Sequence, residues 1–206
     1  MGNFITFEGI EGCGKSTQIQ LLGEWLVSIG KRVLITREPG GTELGERIRT
    51  LLKDECLDGH FSAKAELLLF EASRAQHMEE KIVPALVRGD DVLCDRFSDS
   101  SAVYQGAARK IPTSDVAFLN KFATNNLIPD LTIIVDITSE ESVRRLLGRG
   151  GQIDRIEREN LSFFNDVRNG YLSIAKGNRR FLVVNGDQSV SDIQNEIRRE
   201  YRARFM

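Results

Sequence analysis

The sequence predicts a single α/β domain with a five-stranded parallel sheet covered by helices on both faces. Three observations predict it. Strand-like and helix-like segments alternate along the chain. Each strand is a near-continuous apolar run, as expected of strands buried on both faces. Between the first strand and the first helix stands Gly9-Ile10-Glu11-Gly12-Cys13-Gly14-Lys15-Ser16, the G-x-x-x-x-G-K-[ST] spacing of a phosphate-binding loop. A chain of 206 residues, 41% hydrophobic, can bury one sizeable core. No repeat, low-complexity tract or linker divides it, so residues 1–206 read as one domain.

In chain order, residues 3–8 form the first strand, and residues 17–29 a helix periodic in Ile19, Leu22, Leu26 and Ile29. The loop glycines let backbone N–H groups turn inward around phosphate oxygens at the positive end of that helix. Lys15 can reach the β- and γ-phosphates, and the Ser16 hydroxyl, followed by Thr17, can bind Mg²⁺. Gly30 stops the helix, and residues 31–36 make the second strand. Arg37-Glu38-Pro39-Gly40-Gly41-Thr42 is a loop whose Pro and Gly residues impose an unusual backbone path. Residues 44–52 form a short amphipathic helix, and residues 62–87 a longer one bent near Pro84. Residues 91–95 are the third strand. Residues 98–108 and 113–125 are helical, separated by Pro112. The fourth strand is 131–136. It leads to a helix over 139–147, with Ser139 as N-cap and Glu140 and Glu141 in its first turn. Gly148-Arg149-Gly150-Gly151-Gln152 reads as a mobile lid spanning about 148–155. A long charged helix over 154–176, a fifth strand at 181–185 and a helix over 191–204 complete the chain.

Composition narrows the function. With 28 basic and 30 acidic residues the net charge is −2, which argues against a general nucleic-acid binder. No apolar run reaches membrane-spanning length, so no membrane partner is expected. Cys13, Cys56 and Cys94 lack both CxxC pairing and metal spacing, which suits reduced thiols. The first strand begins close to Met1, leaving no room for a cleavable signal. The protein is expected in the cytoplasm.

In such sheets ligands sit beyond the carboxyl ends of the strands, so chemistry is sought there. Asp95 ends an apolar strand and fits a carboxylate holding Mg²⁺; Asp136 ends another and competes. Arg96 beside Asp95 favours the first, pairing a metal-side carboxylate with a phosphate-side cation. Phe70 and Arg74 are one helical turn apart and share a face. On pattern alone Phe70 reads as core, but a ring beside a guanidinium also suits a planar base. Ser101 and Gln105, with Tyr104 beside them, read either as a solvated helix face or as a binding surface. Arg144, Arg145, Arg149 and Arg155 bracket the lid. Such runs are ordinarily solvated, yet near a phosphate loop an arginine on a mobile segment can neutralise a transferring phosphoryl group.

Taken together, Phe7-Glu8-Gly9 running into the loop, Arg37-Glu38-Pro39-Gly40-Gly41-Thr42, Asp95-Arg96, Tyr104-Gln105 and Asp154-Arg155 closely resemble the thymidylate kinase family, in family order over nearly the whole chain. The resemblance implies transfer of the ATP γ-phosphoryl group to dTMP with Mg²⁺, in a homodimer. It assigns Gly9 to Thr17 to ATP, with Lys15, Asp95, Arg96 and Arg149 catalytic, and Ser16 and Asp95 on the metal. It places Arg37 and Arg96 on the acceptor phosphate and Phe70 on the thymine ring. Arg74 and Gln105 would bond the base, with Ser101 nearby, and Pro39 would shape the pocket wall. Tyr104 would close the space of a ribose 2′-hydroxyl, and Glu11 would meet the acceptor sugar's 3′-hydroxyl. Some members carry an arginine where this chain has Gly12. Those without it place basic residues in the lid, so Arg149 is expected to be the transition-state arginine, with Arg155 also available. Arg144 or Arg145 would pack on adenine. The rivals are a similar kinase with another acceptor, a P-loop GTPase and an idle nucleotide-binding scaffold. The GTPase reading lacks an N-K-x-D-type motif, and the scaffold reading leaves Lys15, Ser16, Asp95 and the lid arginines unexplained.

Overall fold

The computed structural model describes residues 1–57, 60–150 and 154–206, so Gly151, Gln152 and Ile153 of the expected lid lie outside the described residues. Five strands, β1 (Phe4–Glu8), β2 (Val33–Arg37), β3 (Asp91–Asp95), β4 (Leu131–Asp136) and β5 (Phe181–Asn185), form one parallel sheet in the order β2-β3-β1-β4-β5. The strand at the centre, β1, is buried throughout, as its unbroken FITFE run requires. The connection leaving β1 runs to β2 on one side, whereas the connection leaving its neighbour β3 runs across to β4 on the other, which opens a crevice at their carboxyl ends. Register pairs Asp95 with both Phe7 and Arg37, so the ends of β1, β2 and β3 converge on that crevice.

Alternation along the strands divides the core. Ile5 and Leu93 pack on one side with Ile19, Leu22 and Leu26 of α1 (Lys15–Ser28). Phe4 and Val92 face the other side, against Met78, Ile82 and Leu86. Helix α2 (Glu43–Lys53) follows the loop after β2. Helix α3 (Ala63–His77) continues into α4 (Val83–Val87) through a widened π turn, Met78–Ile82. That turn stands just before Pro84, where a bend was expected: Pro84 has no N–H to hold the α register, and the Val83 N–H reaches back to Met78 O. A second π segment, Ala102–Ala108, follows α5 (Ser98–Ser101) and sinks Tyr104 and Gln105 inward, where a solvated face was one reading.

After α6 (Thr113–Thr124), two boundaries depart from expectation. The cap of α7 (Ser139–Arg149) is Thr138, whose side chain accepts the Glu141 N–H, while the Ser139 hydroxyl donates to Asn165 Oδ1 at 2.9 Å. Ser139 is already helical and cannot cap. The expected helix from Asp154 begins only at α8 (Leu161–Ala175), capped by Asn160. Asp154 instead closes a separate turn by accepting the N–H groups of Ile156 and Glu157. The buried stripe of Phe164, Val167 and Tyr171 starts after that turn, so nothing apolar recruits it into the helix. The closing helix is α9 (Val190–Phe205). Among the described residues no helix is long and apolar enough to cross a membrane.

Candidate active site

The phosphate loop leaves β1 and wraps the first turn of α1. Gly9 sits at φ 135°, and a Cβ there would lie 2.5 Å from Val135 O and 2.9 Å from Cys13 Sγ, so only glycine passes. Cys13 is buried beneath the loop. Lys15 extends back inside the loop, its Nζ donating to Gly9 O at 3.0 Å and Ile10 O at 2.9 Å. Ser16 Oγ donates to Asp95 Oδ2 at 2.8 Å, which brings the two expected metal-side residues together. The competitor Asp136 is taken: Arg168 grips it with two hydrogen bonds of 2.7 and 2.8 Å.

Beside the loop a cleft of about 240 Å³ opens, lined by Glu11, Lys15, Ser16, Arg37, Asp95, Arg96 and Arg149 among others. Arg37 enters from the end of β2 and pairs with Glu46 at 2.8 Å. The loop that follows is packed down through Gly41, at φ 81°, where a Cβ would lie 2.6 Å from His77 Nε2. The Glu38–Pro39 peptide bond is cis, and Pro39 lines the cleft as expected.

Arg96 adopts φ 70°, held by its own N–H on Phe7 O at 3.0 Å. Its guanidinium donates to Glu11 Oε1 at 2.8 Å and lies 5.0 Å from the Tyr104 ring centre. The Tyr104 hydroxyl meets both Glu11 oxygens at 2.8 Å, so Glu11 is the hub that Arg96 and Tyr104 share. Behind Arg96, the buried Glu8 carboxylate accepts from the Phe97 N–H, Ser100 Oγ and Tyr171 OH at 2.8, 2.6 and 2.7 Å. Burial first, and the charge of Asp99 second, push its pKa up to about 7.

Phe70 is half-buried and lines the cleft, contrary to its core-like sequence pattern. Ser101 and Gln105 line it too. Arg74 does not. It lies behind that wall, 1% exposed, with Nε on Glu38 at 2.7 Å and further bonds to Glu71, Ser101, Asn120 and Phe97 O. Its contact with the cleft passes through Glu38 and Ser101, both of which line it.

Arg149 lines the cleft and donates to both Glu157 oxygens at 3.0 Å. Arg155 is not available there. It is buried, with Nε on Leu52 O at 3.0 Å and Nη2 on Glu66 at 2.6 Å, and it ties the end of the lid to the wall. Arg144 is exposed and paired with Glu141. Arg145 reaches the loop after β5, donating to Gly186 O and Asp187 at 3.1 Å.

Sequence reasoning missed Arg49, Lys53 and Glu66. Arg49 lines the cleft and donates to Pro39 O at 3.0 Å; burial and then the neighbouring Arg37 lower its pKa. The signal was present: Arg49 stands on the α2 face that buries Gly45 and Leu52, an odd place for a cation unless it has acceptors there. Lys53 bonds Asp154 at 2.5 Å, a pairing across sequence that no local pattern carries.

A Walker-type loop at the switch point of a parallel sheet, facing converging arginines, defines a P-loop phosphotransferase of the nucleotide-kinase class. Comparison with known proteins narrows this. Residues 7–197 match the thymidylate kinase family model. The chain is 49% identical over 195 residues to the thymidylate kinase of Thermosipho africanus, covering 95% of each. To that of a Geobacter species it is 47% identical over 196 residues, covering 92% of this chain and 87% of the relative. The crystal structure of thymidylate kinase from Ehrlichia chaffeensis superposes with a TM-score of 0.78 at 34% identity, covering 98% of both chains. The chain belongs to the thymidylate kinase family.

Proposed function

We propose that this chain transfers the γ-phosphoryl group of ATP to dTMP, giving dTDP and ADP, a step of dTTP biosynthesis. The observation that carries the choice of acceptor is the presence of Arg37, Arg49 and Arg96 along one cleft with the phosphate loop. Three guanidiniums on one cleft match a dianionic monophosphate; an uncharged nucleoside offers them no charge to bind.

The residues then divide the work. The loop amides of Gly9 to Thr17 and Lys15 hold the donor phosphates, and Arg37, Arg49 and Arg96 hold the acceptor in line with them. Ser16 and Asp95 are hard oxygen donors 2.8 Å apart, a pair that fits Mg²⁺, which when bound offsets phosphate charge. Glu11 receives the acceptor's 3′-hydroxyl side, and Tyr104, fixed on Glu11, closes the 2′ position. Phe70 stacks on thymine while Gln105 and Ser101 meet its edge; Arg74 positions Ser101 from behind. Arg149 brings charge to the transferring group, and Arg145, beside the loop after β5, packs on adenine in preference to Arg144. The exposed Phe118 and Phe122, one turn apart on α6, supply an apolar face for a homodimer. A cytoplasmic setting supplies both nucleotides and keeps the thiols reduced.

The test is ADP formation from ATP and Mg²⁺ with dTMP, dUMP, dCMP, dGMP, UMP and thymidine offered separately. Strong preference for dTMP, with UMP and thymidine inert, is the expected result. If another acceptor wins, the kinase reading survives and the thymine assignments of Phe70 and Gln105 do not.

A further inference from the structure

Glu66 stands on α3 one turn before Phe70, 3% exposed, behind the base end of the cleft. Its Oε1 accepts from Gln105 Nε2 at 3.1 Å and from Arg109 Nε at 3.4 Å; its Oε2 accepts from Arg155 Nη2 at 2.6 Å. Burial alone would favour the neutral acid, but Arg109 and Arg155 outweigh it and hold the carboxyl below its ordinary range. An ionised carboxylate accepts hydrogen bonds and donates none. Gln105 must therefore turn its NH₂ toward Glu66, which leaves its carbonyl end for the cleft it lines. A carbonyl oxygen complements an N–H donor and opposes a lone pair. Thymine and uracil carry a donor at N3; cytosine carries an acceptor.

We propose that Glu66 is a specificity-determining positioning residue that fixes which end of the Gln105 amide faces the acceptor base, and so separates thymine from cytosine. The proposal rests on the dTMP reading above. Glu66 touches no substrate; it acts through Gln105, and its second oxygen anchors the lid through Arg155.

The experiment measures kcat/KM for dTMP, dUMP and dCMP with the unmodified enzyme, Glu66→Gln and Gln105→Ala. An amide at 66 accepts either end of Gln105, so in Glu66→Gln the dTMP:dCMP ratio should fall about tenfold. The dTMP:dUMP ratio should hold, because those bases differ only by the 5-methyl group. If Glu66→Gln keeps the dTMP:dCMP ratio while Gln105→Ala lowers it, the role of Glu66 is overturned and the base reading stands. If Gln105→Ala also keeps it, the base reading itself falls. Collapse of both ratios together in Glu66→Gln marks a loosened site and also overturns the proposal. Should Glu66→Gln not fold by circular dichroism, Glu66→Asp replaces it. It keeps a negative charge near the arginines but draws back the oxygen that Gln105 and Arg109 share; the same fall is expected, and an unchanged ratio refutes the proposal.

Discussion

The two ends of the cleft are built differently. At the acceptor end most side chains are buried or half-buried and multiply bonded: Arg96 on Glu11, Ser100 and Tyr171, Tyr104 on Glu11, and Arg74 on five partners; Arg37, exposed and paired with Glu46, is the exception. At the donor end Lys15 is buried on the loop carbonyls, but the other groups are more open. Arg149 is 55% exposed with Glu157 its partner, and Ser16 is exposed, bonded to Asp95. The acceptor end is therefore largely preorganised, its orientation energy spent in folding, whereas Arg149 and Ser16 make few bonds that a phosphate would have to replace. Specificity belongs at the rigid end and charge delivery at the open one.

Four substitutions test this contrast. The largest effect is expected at the open end. Arg149→Ala should lower kcat on the order of 10³-fold, with KM for dTMP within about threefold, as for other arginines that stabilise transferring phosphoryl groups. Thermal unfolding should not change, since that side chain supports no core. Steady-state kinetics beside a melting curve checks both, and an unchanged kcat removes Arg149 from the chemistry.

At the rigid end the effect should appear in stability. Glu8 has its pKa raised from 4.5 to about 7 by burial and Asp99, so the folded state keeps a proton that the unfolded chain loses. Its contribution to stability is therefore greatest at acid pH, declines as pH rises from 4.5 toward 7, and is level above. The decline amounts to roughly 3 kcal/mol at most. Glu8→Gln should remove that part of the pH dependence. Urea titrations of both proteins across this range supply the comparison, and parallel curves would show that Glu8 does not titrate there.

The smallest effect sharpens the donor end. Arg145→Ala should raise KM for ATP about fivefold, as for loss of one cation–π contact, while Arg144→Ala should leave it within about twofold. Equal effects would mean that position on α7, rather than the reach toward Gly186, selects the adenine contact.

Much of this was readable before any fold was known. The strands at 91–95 and 131–136 match the structure because a strand buried on both faces has no alternative to an apolar run, and the partly exposed edge strand at 181–185 matches too. The phosphate loop was readable because its groups are contiguous backbone. The caps at Thr138 and Asn160 were harder: several polar residues in each segment could cap, and packing chose among them. Phe70 was misread by pattern because an aromatic ring in an apolar run looks the same whether it faces a core or a cleft.

By itself, then, the sequence determined the α/β class, the loop and the set of candidate side chains, because those depend on local periodicity and contiguous motifs. Tertiary structure decided their roles. Strand order placed Asp95 against Ser16 and left Asp136 to Arg168. Packing buried Arg155 on Glu66 while Arg149 stayed in the cleft, brought in Arg49, and set Glu66 behind Gln105. Such pairings join residues tens of positions apart, and their partners are chosen by where the sheet and helices bring them, which no spacing along the chain records.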